Sequence, residues 1–245
     1  MSLGLGTSLS KSGLVTPGIV TDSLVLKHNY AAGGVTPVSD GAAVFDGTDD
    51  YIDCGHDATL DVGTSDFTAC CWFKLVDDNN NHDIISKGST LGTGYGWGLS
   101  LYDTNGKLYF DCGDNSTRID TISNTAISYN TWYHVAVTRS NSGNLSQIYI
   151  NGVLDVTKAN TLDDLGDGSQ NIPFEMGSSV SNRYLNGYIC NVGYWSAVLT
   201  QAQVKSIMWK NYADLTSSET TNLVSWWNLS ANANDDHGSN NGTLT

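Results

Sequence analysis

The sequence predicts an all-β protein in which two antiparallel sheets pack face to face. Strand-like segments recur at short intervals and turn residues separate them, which is the pattern of a β-sandwich. The chain of 245 residues contains 26 Gly and 3 Pro, so Gly, Asn and Asp must make most of its turns. Glu, which favours helices, occurs only as Glu175 and Glu219 among the 25 acidic residues.

Residues 1–40 form a distinct N-terminal region that is rich in Gly, Ser, Thr and Leu. Residues 1–20 carry one charged side chain, Lys11, show no helical period and are interrupted by Pro17-Gly18. We expect residues 1–40 to be an extended or assembly-linked arm, and such a segment is either disordered or orders on a partner. The sandwich domain is predicted to span residues 41–245, including a C-terminal strand within 222–245.

The first elements of the domain alternate strands with short polar turns. Residues 42–53 are predicted to form a strand, an Asp-rich turn and a second strand, and residues 66–75 form the strongest single strand. Two further strands at 97–102 and 107–112 are joined by Asp103-Thr104-Asn105-Gly106, which has the composition of a hairpin turn.

A three-stranded antiparallel meander is predicted between Trp132 and Val156. Residues 132–138 and 147–150 alternate apolar and polar side chains with a period of two, as strands buried on one face do. A Gly-, Asn- and Ser-containing turn separates them, and Asn151-Gly152 then opens a second turn.

One short helix is predicted near residues 201–210. Thr200 and Gln203 have the spacing of a capping box, in which Thr200 is the N-cap and the Gln203 side chain reaches back to it. The apolar positions of this segment fall on one helical face; they are Ala202, Val204, Ile207 and Met208. Lys210-Asn211 suits the end of a helix.

Five segments, taken in order, resemble the laminin-G-like and concanavalin A-like jelly-roll superfamily. They are Phe45–Ile52, Phe67–Trp72, Trp132–Thr138, Tyr149–Gly152 and Asn186–Val192. The resemblance covers roughly residues 40–212 and implies a jelly-roll sandwich. Residues 222–244 resemble a stretch that usually precedes the first of these segments. They either complete the chain's own sandwich, which we favour because an unpaired Trp226-Trp227 strand would expose an apolar edge, or begin a second repeat.

The resemblance implies a Ca²⁺ site, because members of the superfamily often hold this ion near the first and last of the five segments. The candidate ligands here are Asp46, Asp49, Asp50 and Asn191, all of which offer the oxygen atoms that a hard cation prefers. Asn191 stands where the family usually has Asp, which removes one charge. The alternative is that these Asp residues only cap turns.

The same resemblance implies a carbohydrate-binding surface, in which exposed aromatic rings stack on sugars while Asp and Asn bind hydroxyl groups. The candidate aromatic residues are Tyr95, Trp97, Tyr102, Tyr184, Tyr194 and Trp195. The alternation of neighbouring residues predicts that Trp72 and Trp132 instead belong to the core.

The sequence argues against an enzyme. Glycoside hydrolysis needs two carboxylic groups at a fixed separation, and the clustered Glu-x-Asp-x-x-Glu strand of the concanavalin-like glucanases is absent, although an Asp pair stays open. His134 lies within a strand and is interpreted as structural, and no Gly-x-Ser-x-Gly elbow is present.

The net charge restricts which classes of molecule the protein can bind, and the cysteine content indicates whether it contains disulfides. A formal net charge of −14 argues against nucleic acid and against anionic membrane surfaces. Five cysteines without regular spacing make a poor disulfide framework. We expect Cys70 and Cys71, which are neighbours on a predicted strand, to be buried or half-buried in a reducing compartment. The first six residues, Met1–Gly6, have neither the basic region nor the apolar stretch of a signal peptide.

These observations support two functional hypotheses. The first is a non-enzymatic structural, decoration or fibre module of a bacterial virus, which is located in the virion, assembles as a homo-oligomer and contacts other virion proteins through residues 1–40. The second is a soluble or extracellular lectin-like domain that binds a cell-surface glycan.

Overall fold

The computed structural model describes residues 37–76, 80–88, 94–102, 104–166, 170–179 and 183–245. Apart from residues 37–40, the predicted N-terminal arm lies outside the described residues, and so does the question of whether it orders on a partner.

The described residues contain the strands and the helix that follow, in chain order. They are β1 (Ala43–Asp46), β2 (Ile52–Asp53), β3 (Phe67–Leu75), β4 (His82–Gly88), β5 (Gly96–Tyr102), β6 (Lys107–Gly113), β7 (Arg118–Ala126), β8 (Tyr133–Ser140), β9 (Leu145–Ile150), β10 (Val153–Ala159), β11 (Phe174–Met176), β12 (Asn186–Trp195), α1 (Gln201–Ile207), β13 (Leu223–Trp227) and β14 (Thr243–Leu244).

These strands form two antiparallel sheets of seven strands each, which confirms the predicted sandwich. Sheet A has the order β1-β12-β3-β8-β9-β10, and β13 also pairs with β12. Sheet B has the order β14-β2-β11-β4-β5-β6-β7. Neighbours such as β3 and β12 are far apart in sequence, as the long connections of a jelly roll require.

The predicted meander is present as β8, β9 and β10, each paired antiparallel with the next. The turn between β9 and β10 has φ values of 50° at Asn151 and 74° at Gly152. Two successive positive φ values favour Asn-Gly, because a side chain at the second position would be strained.

The predicted helix is also present, although it is shorter than expected. Helix α1 is Gln201–Ile207, and both hydrogen bonds of the capping box with Thr200 are formed. Val204 and Ile207 are buried, whereas Ala202 is exposed, so the apolar face is narrower than the sequence indicated. No helix in the described parts of the chain is long and apolar enough to cross a membrane.

The main core lies between the sheets and is built from alternate residues of each strand. In β3, Phe67, Cys71 and Phe73 point into it, together with Ala69 and Leu75. All five cysteines are buried and unpaired. Trp72 is buried as predicted, but Trp132 is half-buried, because it lies just before β8 on the outer face of sheet A.

The C-terminal segment adds strands to the same sandwich. Strand β13 pairs with β12 and places the Trp227 ring in the main core, while β14 pairs with β2. The turn between them is organised by Asp235, whose carboxylate accepts backbone N–H bonds from Trp226, His237, Gly238 and Asn240. The Trp226-Trp227 strand is therefore paired within its own chain.

Candidate functional site

The outer face of sheet B, called the sheet B face below, carries a group of polar and aromatic side chains. In β6, Leu108, Phe110 and Cys112 point into the core. The alternation of a strand therefore directs Tyr109 and Asp111 to the outer face. The pairing of β5, β6 and β7 brings residues from all three strands together there.

Two tyrosines form the aromatic part of this face and are called the tyrosine pair below. The rings of Tyr102 and Tyr109 have centroids 4.2 Å apart and are tilted by 39°. Both residues are half-buried, and the Tyr109 hydroxyl accepts a hydrogen bond of 2.9 Å from Asn105 Nδ2. The pair therefore presents ring surface to solvent in a fixed orientation.

A buried carboxylate holds an arginine over the tyrosine pair. Arg183 Nη2 lies 2.6 Å from Oδ1 of Asp83, and its Nε lies 3.3 Å from Oδ2. Asp83 also accepts hydrogen bonds from the hydroxyl groups of Ser100 and Ser179. The guanidinium carbon of Arg183 is 4.9 Å from the centroid of the Tyr102 ring, within the range of a cation–π contact.

A second arginine, Arg118 on β7, hydrogen-bonds the Tyr102 hydroxyl. Arg118 Nε donates a hydrogen bond of 2.5 Å to Asp120, and its Nη2 is 3.8 Å from Asp111. Burial alone would lower the pKa of Arg118, but Asp111, the Tyr102 hydroxyl and Asp120 together raise it. Arg118 therefore stays charged at neutral pH.

Asp111 is a buried carboxyl group whose Oδ1 atom has no hydrogen bond from the residues that the structure describes. It is 1% exposed, and burial raises its pKa well above the usual value, an effect that Arg118 opposes and Asp120 and Asp83 reinforce. An unsatisfied buried polar group costs stability. The sheet B face therefore retains a group that the fold alone does not require.

A pair of carboxyl groups lies towards the opposite edge of sheet B. Glu175 on β11 is directly across from Asp53 on β2, where Cβ atoms are about 5 Å apart. Burial, with Asp53 and Asp83, raises the pKa of Glu175 to about 7. Three strand spacings separate Glu175 from Asp111, so the two residues lie about 14 Å apart across the sheet, and Asp53 lies one strand further away.

The structure separates the predicted carbohydrate-binding aromatics into two groups. Tyr95, Tyr102 and Tyr184 are half-buried, but only Tyr102 belongs to the tyrosine pair. Tyr184 instead lies 6.3 Å from the ring of Tyr51.

Three of the predicted aromatics cannot stack on a sugar, because they are at most 2% exposed; they are Trp97, Tyr194 and Trp195. The rings of Trp97 and Tyr194 stack on each other in the main core with centroids 6.2 Å apart. Trp195 lies on the outer side of sheet A beneath α1 and donates a hydrogen bond to the Glu219 carbonyl. These three predictions are therefore wrong.

The structure brings together three of the four predicted cation ligands. Carboxylate oxygens of Asp46, Asp49 and Asp50 all lie within 4.8 Å of one another. Part of their bonding capacity closes the turn itself, because Thr48 N donates to Asp46 and Asp46 N donates to Asp50. Three carboxylates so close together fit a hard cation such as Ca²⁺.

Asn191 does not belong to this group, and its prediction as a ligand is wrong. Asp46 pairs with Asn186, which is five residues from Asn191 along β12, a distance of about 16 Å. The Asn191 amide is buried and donates hydrogen bonds to Val38, Lys210 and Asn211.

The sequence analysis missed most residues of the sheet B face; they are Asp83, Tyr109, Asp111, Arg118, Asp120 and Arg183. A signal was present in β6, where alternation with Leu108 and Phe110 places Tyr109 and Asp111 on one face. No local signal identifies Arg183, because Asp83 and Tyr102 approach it only in the folded chain.

The comparisons with known proteins agree with this fold. Residues 46–205 match the sequence profile of the concanavalin A-like lectin/glucanases superfamily. No curated protein matches the chain.

Several solved structures resemble this one. A putative carbohydrate binding protein from Bacteroides ovatus is 21% identical with a TM-score of 0.64, over 83% of this chain and 57% of the other, so the chain spans less than two-thirds of that protein. Domain 4 of AbnA, an extracellular arabinanase from Geobacillus stearothermophilus solved with arabinotriose, is 22% identical with a TM-score of 0.55, over 71% and 82%. The CBM40 of a Ruminococcus gnavus sialidase, bound to sialyllactose, is 13% identical with a TM-score of 0.51, over 69% and 99%.

Proposed function

Because the chain belongs to the concanavalin A-like lectin/glucanases superfamily, we propose that it is a non-enzymatic carbohydrate-binding domain whose binding surface is the sheet B face. The observation that carries this proposal is the half-buried tyrosine pair between two arginine–aspartate pairs. Three structural neighbours whose names or ligands refer to carbohydrate support it.

The chemistry of this face suits a sugar ring. An aromatic ring packs against the C–H face of a pyranose, while polar groups at its edge bind the hydroxyl groups. Arg183 is held by two contacts to a fully buried carboxylate, so little side-chain entropy is lost when a ligand binds beside it. The face is therefore organised before the ligand arrives.

Glycan binding by the full chain and by two matched tyrosine variants tests the proposal. Replacing Tyr109 with Ala removes one ring of the pair, which we expect to weaken binding about tenfold, or ~1.5 kcal/mol. Tyr188→Ala is the control, because Tyr188 is also half-buried but lies on the outer face of sheet A. No binding to a broad glycan panel, or loss of binding only in Tyr188→Ala, would contradict the proposal.

Glu175 and Asp53 are a second candidate site, for hydrolysis. Their cross-strand spacing and the pKa of about 7 at Glu175 are properties that a retaining glycosidase needs. The pair lies away from the aromatic surface that would hold a substrate, and Asp53 already accepts a hydrogen bond from Gly55 N. We therefore expect no new reducing ends when bound glycans are incubated with the protein; release that Glu175→Gln abolishes would make the protein an enzyme.

The virion role predicted from residues 1–40 stays a prediction, as does the homo-oligomer.

A further inference from the structure

Basic residues are scarce in this protein, and several surround the tyrosine pair. The chain has 11 Lys and Arg against 25 Asp and Glu. Of its arginines, Arg139 is fully buried and donates to the backbone carbonyls of Ser65, Leu162 and Asp163. The other two, Arg118 and Arg183, lie on the sheet B face, so every arginine that is not committed to the core flanks the pair.

Lysines add to this local positive charge. Lys107 is on the same face of β6 as Tyr109, because Leu108 between them points into the core. Lys158 reaches the adjoining edge of the sheet, where its Nζ donates to the Asp120 carbonyl. A patch of this kind in a chain with a net charge of −14 indicates a ligand of negative charge.

Arg118 retains donors that the fold does not use. Its Nε bonds Asp120, but the 3.8 Å from Nη2 to Asp111 is too long for a hydrogen bond. A guanidinium has five N–H donors in a planar fork. Within the described structure Nε–H donates to Asp120 and the side chain also donates to the Tyr102 hydroxyl, which leaves further N–H donors of the fork for a ligand. The Arg118 side chain is 18% exposed, so part of it is accessible to a ligand.

Asp83 and Asp120 pair with Arg183 and Arg118, so the excess positive charge of this face comes from Lys107 and Lys158. Arg183 neutralises Asp83 through two contacts, and Asp120 occupies only one edge of Arg118. Asp111, the nearest remaining carboxyl group, is held towards its neutral form by burial. Arg118 thus combines a retained charge, free donors and a place beside an aromatic surface.

We infer that the sheet B face binds acidic saccharides, and that the Nη edge of Arg118 receives the carboxylate or sulfate group of the ligand. The tyrosine pair packs against the sugar ring, and Lys107 strengthens the attraction. Charge-assisted bidentate bonds of this type are about twice as strong as neutral ones. This ligand class presupposes the proposed function, since it specifies the sugar that the same face binds.

Matched ligands that differ only in charge test this directly. We would measure binding of tetragalacturonate and of its full methyl ester by calorimetry, and of lactose 3′-sulfate against lactose to separate sulfate from carboxylate recognition. In at least one of these two pairs of ligands, the charged saccharide should bind about ten times more tightly than the neutral one. That preference should weaken as salt is added, because exposed charges are screened.

Arg118→Gln should reduce the preference to less than twofold, because the affinity for the acid falls further than the affinity for the neutral ligand. Lys205→Gln is the control, because Lys205 is exposed on α1 over sheet A. If Arg118→Gln does not fold, Lys107→Gln should still lower the preference about threefold.

Equal binding of both members of each pair would overturn the acidic ligand class and leave the proposed function standing. A preference that survives both substitutions would overturn the role of Arg118 and its patch. A chain that binds no saccharide at all would instead overturn the proposed function.

Discussion

The two outer faces of this sandwich arise from the same alternation of side chains along the strands, but they carry different kinds of residue. Much of the outer face of sheet A is apolar and covered, since α1 and the segment after it pack over Trp195 and Trp226, together with Tyr149 and Leu223. The outer face of sheet B carries the tyrosine pair, two arginines and a buried Asp111 whose Oδ1 atom has no hydrogen bond from the described residues.

This difference indicates that the outer face of sheet A contributes to stability and that the sheet B face contributes to binding. Apolar burial on sheet A contributes about 25 cal/mol for each Å² removed from water. The indole N–H groups of Trp72, Trp195 and Trp226 all donate hydrogen bonds there. On sheet B, Asp111 costs stability because no group in the described parts of the chain hydrogen-bonds its buried Oδ1 atom. Substitutions on the outer face of sheet A should therefore change unfolding, and substitutions on the sheet B face should change binding.

The largest expected effect is at Trp195. Replacing it with Ala removes a fully buried ring that contacts Trp226 edge-on and bonds the Glu219 carbonyl. We expect the free energy of unfolding to fall by about 3–5 kcal/mol. Glycan affinity, measured below the new melting temperature, should not change.

Trp195→Phe keeps most of the ring, and it separates loss of packing from failure to fold. Its unfolding free energy should lie between those of Trp195→Ala and the unchanged chain. A Trp195 variant that melts normally but binds glycan poorly would reverse the assignment of the two faces.

Calcium should raise the free energy of unfolding without changing glycan binding at the sheet B face. If the Asp46, Asp49 and Asp50 carboxylates bind Ca²⁺, the ion at one hundred times its Kd raises the unfolding free energy by about 2.7 kcal/mol, because it binds only the folded state. Asp49→Asn should abolish the rise in melting temperature, while Asp114→Asn, an aspartate in another exposed turn, should retain it. An unchanged melting temperature in Ca²⁺ would show that these residues only close the turn.

Acid should loosen the cover of sheet A. Burial alone would raise the pKa of Glu219, but hydrogen bonds from Lys210, Ser206 and Thr216 lower it to about 2 from an ordinary 4.5. A carboxylate with a depressed pKa stabilises the fold fully above pH 4.5, and this contribution is lost as the pH falls towards 2. We expect a loss of about 1–2 kcal/mol over that range.

Glu219→Gln provides the comparison for this pH dependence. Denaturant unfolding between pH 5 and pH 2 should show a smaller decline in the variant, since the amide does not titrate. An identical decline in both proteins would assign the acid sensitivity to other carboxylates.

The fold was predictable because local signals agree with it. The meander, the capping box at Thr200 and the alternation of Phe67–Leu75 each appear within a few residues of sequence, and the structure contains all three. The prediction failed at Ala202 and Trp132. The sequence indicates which face of a helix or strand each residue lies on, but it does not indicate which element packs against that face.

The site was less predictable because it depends on contacts between distant segments. Trp97 and Tyr109 are both aromatic residues in strands, and only the partner sheet decides that the first is in the core and the second is outside. Asn191 shows the same limit, because its distance from Asp46 follows from the register of β1 on β12. The resemblance to the superfamily indicated which residue types to expect at the candidate sites. The pairing of the strands determined which of those residues lie close together.

The smallest expected effect is at Trp132, on the part of the outer face of sheet A where the side chains are only half-buried. It tests most closely whether the glycan binds to sheet B and not to sheet A. Trp132 lies beside Tyr188, and Lys74 Nζ is 5.4 Å from one ring and 4.3 Å from the other. These two rings and an ammonium group are also components from which a sugar-binding surface could be made.

The two surfaces differ in what fixes their polar group. Arg183 is anchored to the buried Asp83, whereas the contacts of Lys74 within the described structure are the two rings. A flexible, unanchored ammonium loses more entropy on binding than a fixed guanidinium. Trp132→Ala should therefore change glycan affinity less than twofold and lower stability by at most about 1 kcal/mol, because the ring is only half-buried. Calorimetric titration of this variant beside Tyr109→Ala decides between the faces: if Trp132→Ala loses the greater affinity, the glycan binds to sheet A, and the tyrosine pair has another role.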